Sequence, residues 1–128
     1  MAVKIDLIPK GLRIWFVIHF AADVFFAIPL LFFPRAFLDL FGWGVYDPIL
    51  ARLVGAVLMG IGVESLLGRN ADADTFRAML NLKVIWASGA LFAFGAGIAD
   101  GAAPVAWVLM GIFGVFWCTW VYYRVILR

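Results

Sequence analysis

The sequence predicts an all-α protein, a four-helix transmembrane bundle with an interfacial helix between the first two spans. Three observations carry that expectation. Hydrophobic residues make up 66% of the chain and charged residues only 14%, whereas soluble domains carry about 25% charged residues. Mean hydropathy is +1.07, too apolar for a soluble fold of 128 residues to cover its surface. Apolar stretches of ~20 residues recur along the chain, and at a rise of ~1.5 Å per residue each is long enough for a hydrocarbon core of about 30 Å. This length leaves room for one bundle with short loops, so residues 1–128 are expected to form a single integral membrane domain.

The first span is expected over about residues 14–33. Lys4, Lys10 and Arg13 precede it, and it ends at Phe33-Pro34-Arg35 without a small-x-small cleavage pattern, so it reads as a retained helix rather than a secretory signal. The following segment, residues 34–43, is too short and too polar to span. It is amphipathic at helical spacing, which predicts a helix lying on the membrane surface. The second span, about 49–68, opens after Asp47-Pro48, since proline is tolerated in a first turn, and stops at Gly68-Arg69-Asn70. The third, about 76–99, is expected to be capped by Asp74 or Thr75 and to end in an Asp100-Gly101 turn. The fourth covers about 103–123.

Basic residues set the expected orientation. Lys4, Lys10, Arg13, Arg69, Arg77, Arg124 and Arg128 fall on the side of the N-terminus, the second loop and the C-terminus, against Arg35 and Arg52 on the other. This bias predicts cytoplasmic N- and C-termini in a cell membrane. The same distribution explains a net charge of +2 as topology signalling rather than nucleic-acid binding. The lone Cys118 forms no internal disulfide and reads as a packing residue.

Five ionisable residues lie inside the apolar stretches: His19, Asp23, Arg52, Glu64 and Lys83. A charge at membrane depth costs ~3 kcal/mol or more, and is retained for pairing, a pathway or a ligand. Arg52 sits near the outer face, where it can snorkel or pair with Asp39 or Asp47. His19 and Asp23 are four residues apart, hence on one helix face, and Pro29 leaves the carbonyl of Phe25 without its usual donor just above them. Glu64 shares a face with Gly60 and Val57, and Lys83 with Ala87, Ala90 and Gly97; small neighbours suggest that both charges point toward other helices. A structural Glu64–Lys83 ion pair is the expectation. Asn81 and Ser88 lie on a different face of the third helix, positioned to satisfy helix one or four, and Asn81 joins His19, Asp23, Glu64 and Lys83 as a candidate ligand- or proton-binding residue.

A single histidine and no cysteine cluster predict no metal site, and no cofactor is expected. The chain lacks a GxSxG elbow, a P-loop and an HExxH helix, so no catalytic residues are assigned and an enzyme is the weaker class. The segment Ala51-Arg52-Leu53-Val54-Gly55-Ala56-Val57-Leu58-Met59-Gly60-Ile61-Gly62, followed by a basic loop and a third helix, resembles small four-helix DoxX-like membrane proteins of prokaryotes over helices two to four. The resemblance implies a four-helix membrane fold and little about activity; Asp23, Glu64 and Lys83 match no motif of that family. Size and helix number also resemble the small multidrug-resistance transporters, in which a membrane Glu stands on the first helix, comparable in place to Asp23 here. The strong charge bias of this chain argues against their antiparallel assembly. The functions to be weighed are a polar site in the inner half of the bundle that binds a small or amphipathic ligand or a proton, an accessory or scaffold subunit of a larger membrane complex, and an oligomeric proton-coupled transporter. Expected partners are the lipid bilayer with, beyond it, such a ligand and further copies or foreign membrane subunits.

Overall fold

A computed structural model describes residues 7–128; Lys4, counted above for orientation, lies outside them. The chain forms α1 (Lys10–Phe32), α2 (Pro34–Leu40), α3 (Pro48–Leu67), a 3-10 turn (Gly68–Asn70), α4 (Ala73–Ala99) and α5 (Val105–Ile126). Among the described residues there is no strand, and α1, α3, α4 and α5 are each long and apolar enough to cross a membrane. The all-α four-helix bundle is therefore present.

Local chemistry accounts for the helix boundaries. Pro34 ends α1 and occupies the first turn of α2, where its missing amide costs nothing. Asp47 caps α3 by accepting from the amides of Ile49 (2.8 Å) and Leu50 (3.2 Å), with Pro48 in the first turn. α4 begins earlier than expected because Asp72, and not Asp74 or Thr75, is its cap, accepting from the Thr75 amide at 2.8 Å. Asp74 instead lies in the first turn and pairs with Arg77, so its carboxylate is spent on a side chain. At the far end Gly101 adopts φ +87° and Ala102 donates to the Gly97 carbonyl at 2.8 Å, the left-handed closure that only glycine takes without strain.

The helices associate as two close pairs, α1 with α3 and α4 with α5. The first pair is set by glycine. A Cβ built on Gly62 would stand 2.7 Å from Asp23 Cβ, and one on Gly55 would stand 3.0 Å from Leu30 Cβ and 3.1 Å from the Ala27 carbonyl. Within lipid, where apolar burial supplies no force between helices, such close approach is what dispersion contacts require. Large side chains join the two pairs. Leu12 and Phe16 of α1 bury against Phe76, Met79 and Leu80 of α4 and Trp120 of α5. Further along, Ala27, Leu30 and Leu58 take Trp86 and Phe113, and Phe37 of α2 packs edge-on against Phe26.

Arginines tie the ends of the bundle. Arg13 donates to the Arg69 carbonyl at 2.7 Å, and Arg77 donates to the Leu127 carbonyl. The start of α1, the turn before α4 and the end of α5 therefore share one end of the molecule. The opposite end carries α2 and the start of α3.

Candidate functional site: a buried lysine, histidine and aspartate

The buried face of α1 reads Leu12, Phe16, His19, Asp23, Ala27, Leu30, steps of three and four that place all six on one stripe. On α3 the buried face is Gly55, Leu58, Gly62, Ser65. On α4 it continues from Met79 and Leu80 through Lys83 to Ala87 and Ala90. Where these stripes meet, four polar side chains are enclosed: His19 (4% exposed), Asp23 (6%), Ser65 (0%) and Lys83 (3%).

His19 and Lys83 lie ~14 and ~15 Å along their helices, and side chains lean toward the helix N-terminus, so both reach back to the level of Ser65. Lys83 Nζ is 3.0 Å from His19 Nδ1 and donates to Ser65 Oγ. Ser65 spends its own proton on the Ile61 carbonyl at 2.8 Å, which orients a lone pair to the lysine. On the other side of the imidazole, Nε2 is 3.4 Å from Asp23 Oδ2. Nδ1 also lies 3.1 Å from Ser65 Oγ; an ammonium can only donate, so beside Lys83 Nδ1 acts as the acceptor and the ring hydrogen falls on Nε2, on the side of the carboxylate. Asp23 Oδ2 is buried without a hydrogen-bond partner among the described residues; its approach to Nε2 is an ion-pair contact and not a formed hydrogen bond.

Aromatic rings wall this chain of groups. Lys83 Nζ lies 4.8 Å from the Phe16 ring centre and 5.2 Å from that of Trp120, within cation–π range. The imidazole meets Phe116 at 4.8 Å and Trp120 at 5.1 Å, both edge-on, which holds its plane. Trp120 thus braces the cation and the ring together.

The chemistry open to this arrangement is proton movement across an imidazole. Lys83 passes a proton to Nδ1, the 3.4 Å gap between Nε2 and Asp23 closes to hydrogen-bond distance, Nε2–H goes to Asp23, and an ammonium–carboxylate pair becomes an amine and a carboxylic acid with no change in net charge. The ring is left as the opposite tautomer, so it must be reset before a second transfer in the same direction.

Of the residues expected at a site, His19, Asp23 and Lys83 come together and Glu64 and Asn81 do not. Glu64 is exposed, as are Gly60 and Val57 on its face, and no carboxylate of Glu64 lies within 4.0 Å of Lys83. The lysine is taken by His19 and Ser65 instead. Asn81 accepts from Arg124 of α5 at 2.6 Å on the exposed side of α4, and Ser88 accepts from Trp117 of α5 at 2.9 Å. Arg52 donates to the Leu31 carbonyl at 3.2 Å and pairs with neither Asp39 nor Asp47. Ser65 was missed. Its signal is the spacing from Gly55, Leu58 and Gly62, which puts a small polar residue at the end of the glycine stripe. Compared with protein-family models, curated proteins and solved structures, the chain has no match.

Proposed function

We propose that this polytopic membrane protein binds and transfers a proton at the Lys83–His19–Asp23 group, with Asp23 as the titrating or ligand-facing carboxylate and His19 as the group that conducts to it. The observation that carries the reading is the alignment of an ammonium, an imidazole and a carboxylate oxygen without a hydrogen-bond partner, enclosed between apolar helices, with Nζ 3.0 Å from Nδ1 and Nε2 3.4 Å from Oδ2. A purely structural ion pair would be satisfied by direct contact; here a neutral, relayable ring stands between the charges. The inner-half placement and cytoplasmic termini belong to the same reading, supported by the basic residues gathered at the end where α1 starts and α5 ends. The likeness of residues 51–62 to DoxX-like proteins supports the membrane-bundle part of the proposal and no particular activity.

Proteoliposomes with an imposed pH gradient and an internal pH dye test it. The wild-type protein should carry a proton flux that Asp23→Asn and His19→Phe abolish while the helical spectrum is retained. An unchanged flux in folded Asp23→Asn would sink the role. A second reading, an accessory subunit docking foreign helices, is favoured by Gly60, Gly89, Gly111 and Gly114, around which a Cβ would meet nothing within 4 Å. Co-migration with a larger complex after mild extraction, without proton flux in liposomes, would favour it.

A further inference from the structure

At the end of the bundle away from the termini, an open groove of about 670 Å³ lies between the end of α1, α2 and the start of α3. Arg35, Arg52 and Tyr46 line it together with Phe32, Phe33 and Asp39. Among the described residues neither arginine has a carboxylate within 4.0 Å. Arg52 uses Nε on the Leu31 carbonyl, which fixes its guanidinium at the groove while its two terminal nitrogens remain uncommitted. Two guanidinium groups with terminal nitrogens to spare and a phenol in one concavity supply the kind of donors that a phosphate accepts. The lining is apolar at one side: Phe32 is 72% exposed and Phe33 53%. All of this stands where α1 ends and α3 begins, the level at which a spanning helix meets the headgroups.

We propose that this groove seats an anionic phospholipid, with the phosphate on Arg35 and Arg52 and the acyl chains along Phe32 and Phe33. The apolar side of the lining favours a lipid over a free phosphate ion, which would gain nothing from it. Asp39 in the same lining repels a second negative charge, so the fit is to a headgroup with one phosphate and a neutral remainder, such as phosphatidylglycerol.

The test is native mass spectrometry of the protein released from nanodiscs of equal parts phosphatidylcholine and phosphatidylglycerol. The wild-type chain should retain phosphatidylglycerol selectively. Arg35→Gln should weaken that retention about fivefold, as expected for one arginine near a membrane surface, and Arg35→Gln/Arg52→Gln should remove the preference. Lys10→Gln, at the opposite end, should leave it intact. Arg35→Gln keeps the Arg52–Leu31 bond, so its effect is read on a chain whose circular dichroism melt matches wild type. Equal retention of both lipids by the wild type, or undiminished preference in Arg35→Gln, overturns the proposal. Inorganic phosphate that displaces phosphatidylglycerol at comparable concentration would make the groove a free-anion site and overturn it as well.

Discussion

Replacing Gly62 by alanine probes the fold and the site through one atom. The added Cβ would lie 2.7 Å from Asp23 Cβ, where ordinary contact begins at 3.4 Å. The neighbour is the root of a side chain, so no rotamer change relieves the clash, and α1 and α3 must part by about 0.7 Å, the difference between 3.4 and 2.7 Å. Overpacking of this kind costs about 1–3 kcal/mol, a factor of roughly 5–150 in the folding equilibrium at ~0.6 kcal/mol per RT. Gly60, on the same helix, has nothing within 4 Å of its built Cβ. Gly60→Ala should therefore change stability by less than ~1 kcal/mol, in the stabilising direction set by helix propensity. Reversible unfolding in mixed micelles on titration with sodium dodecyl sulfate, followed by tryptophan fluorescence, measures both. If Gly62→Ala is as stable as Gly60→Ala, the close α1–α3 contact, and with it the position assigned to Asp23, is wrong.

Three further predictions rest on separate contacts. Asp23→Leu removes the buried carboxylate that faces the Lys83–His19 pair and should destabilise by about 3 kcal/mol, whereas Asp23→Leu/Lys83→Met should recover most of the loss; additive losses in the double-mutant cycle would show that the two groups do not interact through His19. Asp72 lies outside the spans, and the Thr75 backbone and side-chain hydrogen bonds hold its carboxyl below the ordinary carboxylate value. Its contribution is therefore complete above that ordinary value and fades as pH falls through the lowered one; hydrogen exchange at the Thr75 amide should accelerate in acid in the wild type, and Asp72→Asn should flatten the pH dependence. Arg77→Ala frees the Leu127 carbonyl and should expose the end of α5 to carboxypeptidase, with no change in digestion arguing that the Arg77 contact does not hold it.

Composition and hydropathy alone were enough for the class, because four long apolar stretches admit few structures other than spanning helices when every backbone group must be satisfied within lipid. The turns at Asp47-Pro48 and Asp100-Gly101 were equally legible, since their chemistry is local. His19 with Asp23 was legible for the same reason: four residues on a helix share a face whatever surrounds it. The partner of Lys83 was not. Residues 57, 60 and 64 of α3 and residues 55, 58, 62 and 65 both present small side chains at helical spacing, and no periodicity tells which stripe turns inward. Packing decided it: α1 presses on Gly55 and Gly62, which carries Ser65 to the lysine and leaves Glu64 outside. Covalent order and local hydrogen bonding specify each helix and its ends, while the rotation of one helix against another depends on side-chain volumes from segments dozens of residues apart, which exist only once the bundle has formed.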